Sequence, residues 1–260
     1  MTDLKALLFD VDGTLADTER DGHRTAFNRA FEEAGLDWHW SPGLYGRLLR
    51  ITGGKERIRH FMETESPRAP FGSDDADTIA RLHRRKTHFY TELLREGRIP
   101  LRSGVERLLR EARAEGLRLA VATTTTPANV EALVVNTLGS EALGWFEVIA
   151  AGDVVPNKKP APDIYLWAMR QMDLAADQCL ALEDSHNGLL SVRDAGLRSL
   201  VITVNGYTET EDFDGASLVV DQLGEPGSPI RRLDGNVPVT TELVDVGLLR
   251  LLHAKAWENQ

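Results

Sequence analysis

Short apolar runs recur along this chain, each breaking off at polar residues, with helical patterns between them. Ala6-Leu7-Leu8-Phe9 runs into Asp10-Val11-Asp12-Gly13-Thr14. Leu117 to Ala122 runs into Thr123-Thr124-Thr125-Thr126-Pro127, and Phe146 to Ala150 leads to Gly152-Asp153. Cys179 to Leu182 ends in Glu183-Asp184, and Leu200 to Val204 ends in Asn205-Gly206. Helical patterns occupy about 105–114, 128–138, 163–172 and 188–195. This alternation predicts an α/β fold, a doubly wound parallel sheet covered by helices. Ligands bind such sheets at the carboxyl ends of the strands, so the polar run ends are where a shared site is expected.

Asp10 and Asp12 leave the first strand on one side, because side chains alternate along a strand. Two carboxylates held together need a positive partner, and a hard divalent cation such as Mg2+ is the natural one. One carboxylate can then attack an electrophile while its neighbour handles protons. A solvated strand-end turn is the competing reading, since Asp and Gly are ordinary turn residues.

The stretch from Thr18 to Arg95 breaks the alternation. It carries helical patterns at about 24–34, 44–50, 56–62 and 77–94, a loop at 66–73, and no buried strand. The expected organisation is a core of residues 1–17 and 96–260, with a helical domain, 18–95, inserted after the first strand. A Gly- and Pro-rich stretch from Leu223 to Pro238 precedes a last helix at about 242–256. At 42% hydrophobic and 27% charged residues, the composition is that of a globular protein. No apolar run approaches the ~20 residues that span a bilayer, and the first residues lack a signal-peptide layout. The one cysteine, Cys179, sits in an apolar strand and has no internal partner. A cytoplasmic, monomeric protein with no membrane partner is expected. The net charge of −10 argues against nucleic acid as a partner.

The polar strand ends combine into one chemistry. Thr123 offers a hydroxyl directly after its strand, with Thr124 and Thr125 as alternatives in the same run. Lys158-Lys159-Pro160 offers a loop cation, with Asp163 opening the next helix. Lys159, next to Pro160-Ala161-Pro162-Asp163, is the favoured lysine and Lys158 the alternative. Glu183-Asp184 adds a second acidic pair. Carboxylates, a cation, a hydroxyl and a lysine around one point make a phosphoryl-transfer site.

In this order the residues resemble the haloacid dehalogenase superfamily, phosphatase type, across most of the chain. Asp10-x-Asp12-Gly13-Thr14 is similar to its first motif, Thr123 to the second, Lys159 to the third and Glu183-Asp184 to the fourth. The resemblance implies a Rossmann-like core with Asp10 as the nucleophile that forms an aspartyl-phosphate. Asp12 is then general acid and base. Mg2+ lies between the Asp10 carboxylate, the Asp12 backbone carbonyl and Asp184, with Glu183 supporting it through water. A proton donor at Asp12 argues against dehalogenation.

The helical insertion resembles the cap of the beta-phosphoglucomutase-like branch. Thr52-Gly53-Gly54-Lys55-Glu56-Arg57-Ile58 lacks the spacing of a nucleotide-binding loop. A glycine turn opening a helix at Gly54, beside Lys55 and Arg57, can instead bind a second anion. Arg81, Arg84 and Arg85 read as a solvated helix face, whereas Lys86 aligns with a cap lysine that meets substrate. Glu19, His23 and Tyr45 are candidates for sugar hydroxyls, and Thr124 joins the substrate-binding set. Trp38-His39-Trp40, Ala150-Ala151-Gly152-Asp153 and Lys158-Lys159-Pro160-Ala161-Pro162-Asp163-Ile164-Tyr165 are similar to the CbbY phosphatases. That likeness implies removal of one phosphate from xylulose 1,5-bisphosphate, a Rubisco inhibitor, to give xylulose 5-phosphate. A phosphosugar mutase is the alternative. Between Asp17 and His23 the chain is one residue longer than the mutase pattern, which favours the phosphatase. A non-catalytic protein on the same fold would lack Asp10 or Asp12, and both are present.

Overall fold

A computed structural model describes residues 3–51, 53–65, 75–235, 237 and 241–258, with the backbone alone for Asp75. The loop expected at 66–73 lies outside them, as does Thr52. The chain forms two compact units, Met1–Asp17 with Pro100–Gln260, and Thr18–Ile99.

The first unit begins with β1 (Ala6–Phe9), four buried residues. The chain then leaves for the second unit, entering through a π-helical turn at Thr18–His23. There follow α1 (Arg24–Glu33), α2 (Pro42–Leu48), α3 (Gly54–Thr64) and α4 (Asp75–Arg95). Ser41 caps α2, its hydroxyl accepting from the Leu44 amide, and Pro42 suits the first helical position. This cap places the start of α2 two residues before the expected Leu44. The aromatic rings of Phe31, Trp38, Trp40 and Phe61 meet edge to face, with centroids 4.9–5.5 Å apart. Asn28 clasps the Trp40 backbone, accepting from its amide at 2.8 Å and donating to its carbonyl at 3.1 Å. The two tryptophans therefore hold this unit together from within.

The first unit resumes with α5 (Val105–Ala114), β2 (Arg118–Thr123), α6 (Pro127–Leu138), β3 (Phe146–Ala151) and α7 (Asp163–Gln171). It continues with β4 (Cys179–Glu183), α8 (His186–Asp194), β5 (Leu200–Thr203), β6 (Leu218–Val220), β7 (Arg232–Asp234) and α9 (Val246–Trp257). The seven strands run in the order β3-β2-β1-β4-β5-β6-β7. All neighbours are parallel except β6 and β7. Ala6, Leu8, Ala120, Ala122, Cys179 and Ala181 share one core with residues of α7 and α8. The alternating set Leu7, Phe9, Leu119, Val121, Leu180 and Leu182 is equally buried, so both faces of the sheet are covered.

Strands β6 and β7 were not legible in the pattern. Each is three residues long, too short to show periodicity; β6 is a buried apolar triplet, and β7 is exposed throughout and has no apolar signal. The last helix starts later than expected because Asp245 caps it, accepting from the Leu248 amide at 2.7 Å. The tail after Leu223 thus supplies an edge strand and a helix that packs on α5.

Candidate active site

Strand register builds the site. Phe9 lies beside Val121 of β2 and Leu182 of β4, so Asp10 emerges level with Ala122 and Glu183. The Asp10 amide donates to the Leu182 carbonyl at 3.0 Å. Carboxylate oxygens of Asp10, Glu183 and Asp184 all lie within 4.8 Å of one another, and all three residues are buried. Into this group reaches Lys159, whose Nζ donates to Asp10 Oδ1 at 2.6 Å and Glu183 Oε1 at 2.5 Å. It also donates to the Ala122 carbonyl at 2.8 Å. The Tyr165 hydroxyl donates to the same Glu183 oxygen at 2.6 Å, and its ring centroid lies 5.1 Å from the ammonium.

One ammonium does not balance these carboxylates. Burial pushes the Asp10 carboxyl up to about 8 even though Lys159 pulls the other way. Burial, with the charges of Asp10 and Glu183, holds Asp184 well above the usual carboxylate range. Burial opposes the Lys159 charge, but Asp10 and Glu183 outweigh it and keep the lysine protonated well above its ordinary range. Burial and then Glu183 hold the Tyr165 phenol protonated, as a donor. Negative oxygens gathered in excess and out of water suit a hard divalent cation.

The backbone around the group is equally constrained. Gly13 has φ +92°, and a Cβ there would come within 2.1 Å of Asp184 Oδ2. Asp12, half-buried, forms an isolated bridge with Ala16. Gly188 faces Glu183, where a Cβ would meet its carboxylate at 2.1 Å, and Ser185 caps α8 at the Gly188 amide. Asn205 Nδ2 donates to Asp184 Oδ2 at 2.7 Å.

The structure separates the residues that the sequence left paired. Lys158 turns to the Gly152 carbonyl and, at 2.7 Å, to Asp153 Oδ1, away from Asp10. Thr126 caps α6, and Thr125 accepts from Asn129 Nδ2 at 3.0 Å. Thr124 is exposed, whereas Thr123 is buried at the end of β2, directly after the carbonyl that Lys159 holds.

In the helical unit, Tyr45 donates to Glu19 Oε2 at 2.5 Å and accepts from Arg57 at 3.0 Å. Arg57 is buried and also donates to the Leu48 carbonyl at 3.1 Å and the Ile51 carbonyl at 3.3 Å. Through these bonds Arg57 supports Tyr45 and the turn after α2. Lys86 is buried, with Nζ 2.8 Å from His23 Nδ1. An ammonium only donates, so that ring nitrogen accepts. His23 in turn stacks on Tyr90 at 3.9 Å between centroids. Gly53, at φ +94°, opens α3. Gly54 packs against His83, where a Cβ would lie 2.7 Å from the ring, and Lys55 is exposed on the first turn. Arg81 and Arg84 are exposed, and Arg85 pairs with Glu33 at 2.5 Å and 2.6 Å.

Sequence reasoning missed Tyr165, Asn205 and Arg102 as site residues. Tyr165 closes the Lys158–Tyr165 stretch, and Asn205 is itself a polar strand end. Arg102 follows the return from the helical unit and bears no pattern that marks it.

A family model for haloacid dehalogenase-like hydrolases matches residues 4–196. The chain is 45% identical over 251 residues to the plasmid CbbY protein of Cupriavidus necator, covering 96% of this chain and 97% of that one. It is 51% identical over 222 residues to CbbY of Rhodobacter capsulatus, covering 85% and 94%. The crystal structure of Rhodobacter sphaeroides CbbY with phosphate superposes with a TM-score of 0.75 at 47% identity, covering 86% of this chain and 96% of that one. A mutant of that protein, solved with xylulose-(1,5)bisphosphate, gives the same TM-score of 0.75 at 46% identity, covering 84% and 94%. No helix among the described residues is long and apolar enough to cross a membrane. With a mostly parallel sheet of this order and an acidic, lysine-bridged centre at its carboxyl edge, the chain belongs to the haloacid dehalogenase-like hydrolases of phosphatase type, among the CbbY proteins.

Proposed function

We propose that this chain hydrolyses a sugar bisphosphate, xylulose 1,5-bisphosphate, to xylulose 5-phosphate, and so removes a Rubisco inhibitor. The observation that carries the reading is Lys159 bridging Asp10 and Glu183 beside Asp184, a charge arrangement suited to a phosphoryl group. The sugar follows from the ligand in the similar CbbY structure.

Asp10 attacks phosphorus through a carboxylate oxygen and forms an aspartyl-phosphate, while the leaving sugar oxygen takes a proton from Asp12. Asp12 then takes a proton from water, which attacks the phosphoryl group, releases phosphate and restores Asp10. Thr123 donates to a phosphoryl oxygen, and the Lys159 ammonium offsets its charge. Asp10, the Asp12 carbonyl and Asp184 would hold Mg2+, with Glu183 acting through water; the ion supplies charge neutralisation at the phosphoryl oxygens. Glu183 Oε1 already accepts from Lys159 and Tyr165, which suits an indirect role. In this reading the helical unit is a cap, and Lys55, Lys86, Glu19, Tyr45 and His23 recognise the sugar and its second phosphate.

The test is phosphate release with Mg2+ from xylulose 1,5-bisphosphate, ribulose 1,5-bisphosphate, fructose 1,6-bisphosphate and beta-glucose 1-phosphate. Preference for the first supports the proposal. Conversion of beta-glucose 1-phosphate to the 6-phosphate without phosphate release moves the assignment to a mutase.

A further inference from the structure

Arg102 joins two elements of the acidic centre that are far apart in sequence. Its side chain is 9% exposed, and its guanidinium donates to the carbonyls of Gly13 and, at 2.9 Å, Thr203. It also donates to the carbonyls of Val204 at 2.5 Å and Asp221 at 2.7 Å. Its Nε faces Asp17 Oδ1 at 3.5 Å, and its own amide donates to the Leu15 carbonyl at 2.8 Å. Gly13 follows Asp12 in the first acidic turn. Thr203 and Val204 lead into Asn205, the residue that holds Asp184.

The peptide planes on both sides of Gly13 are pinned. Its amide donates to the Ala16 carbonyl at 2.8 Å, and this fixes the Asp12 carbonyl, which points the opposite way in a trans peptide. The next carbonyl, that of Gly13, is held by Arg102. On the other side, Asn205 is locked by its own turn. Its Oδ1 accepts from the Tyr207 amide at 2.9 Å, and its amide donates to Thr208 Oγ1 at 3.0 Å. Its Nδ2 is thereby aimed at Asp184. Gly13 closes the circuit, since a Cβ there would meet Asp184 Oδ2 at 2.1 Å and Asn205 Nδ2 at 2.8 Å.

We infer that Arg102 is a positioning residue: it holds the Asp12–Gly13 turn and the Asn205–Asp184 pair in register as one cation-binding unit. Its planar fork bonds four carbonyls at once, which the single ammonium of lysine cannot reproduce in that geometry. The inference rests on the proposed cation site, but not on the identity of the sugar.

The test uses the full-length wild type, Arg102→Lys and Asn205→Ala. Titration calorimetry reads Mg2+ and Mn2+ affinity, turnover is followed across Mg2+ concentrations, and thermal melting reports the fold. Partners that orient metal ligands typically change affinity about 10–100-fold when lost, so a cation Kd raised about tenfold or more is expected in both variants. Turnover of each variant should recover as Mg2+ is raised, with the KM for sugar bisphosphate little changed. Wild-type cation affinity in folded Arg102→Lys and Asn205→Ala overturns the inference and leaves the phosphatase reading standing. If Arg102→Lys melts too low to measure, Arg102→Gln, which keeps a planar amide donor, takes its place in the titration. Failure of the wild type to bind either cation overturns both readings.

Discussion

Gly13 lies directly against the carboxylate of Asp184: its missing Cβ would stand 2.1 Å from Asp184 Oδ2, closer than any van der Waals contact allows. The same residue has φ +92°, a backbone state that side chains other than glycine resist. Gly13→Ala therefore combines strain of about 1–3 kcal/mol with displacement of Asp184. The expected result is a folded protein with a lower melting temperature and phosphate release reduced by about 100-fold or more. Wild-type turnover in this variant would show that Asp184 tolerates movement and takes no part in catalysis.

Asp10 makes the stability of the cation-free protein depend on pH. A carboxyl raised from 3.8 to about 8 binds its proton more tightly in the folded chain than in the unfolded one. Its contribution to stability is complete below about pH 4 and is lost as pH climbs through 8. In EDTA, the melting temperature of the wild type should thus fall relative to Asp10→Asn between pH 5 and 9. Mg2+ competes with that proton, so the rise in melting temperature on adding Mg2+ should grow over the same interval. A Mg2+ increment independent of pH would refute the linkage. Asp10→Asn should also abolish phosphate release at every pH.

Tyr165 offers a cleaner perturbation of the same centre. Tyr165→Phe keeps the ring beside Lys159 and deletes only the hydroxyl that donates to Glu183 at 2.6 Å. A buried hydrogen bond to a charged group contributes about 1.5–3 kcal/mol, so a drop of several degrees in melting temperature is expected. Glu183, held then by Lys159 without the phenol, gains freedom to move, and kcat should fall about tenfold with KM nearly constant. Unchanged kcat would confine Tyr165 to a structural part.

The core strands and the acidic centre were readable because apolar runs ended in chemistry. Ala6 to Phe9 and Cys179 to Leu182 each carry strand character into carboxylates, and parallel register then brings those ends level. The Lys158–Lys159 ambiguity was not readable, since adjacent loop lysines differ only in the direction that the chain imposes. Arg102 was invisible for another reason: its partners are backbone carbonyls, which every residue possesses. Strand β7 escaped because an exposed edge strand buries no face and shows no alternation. In the helical unit, Arg57 stands beside Gly53-Gly54-Lys55 in the sequence, and its bonds to Tyr45 and two carbonyls bear no pattern that marks them.

That difference between Lys55 and Arg57 yields the last expectation. Lys55 is exposed on the first turn of α3, where amides and the positive end of the helix favour an anion. Arg57, two residues on, is buried and committed to its own unit. Lys55→Ala should leave the melting temperature unchanged and raise KM for a sugar bisphosphate about tenfold, the loss of one charge-assisted contact of about 1.4 kcal/mol. KM for a small aryl phosphate, which has no second phosphate, should stay within about twofold. Arg57→Ala should instead lower the melting temperature by several degrees and impair both substrates together, because Tyr45 and the Leu48 and Ile51 carbonyls lose their donor. If Lys55→Ala affected both substrates equally, the second phosphate would be recognised elsewhere, and the buried Lys86–His23 pair would be the next place to look.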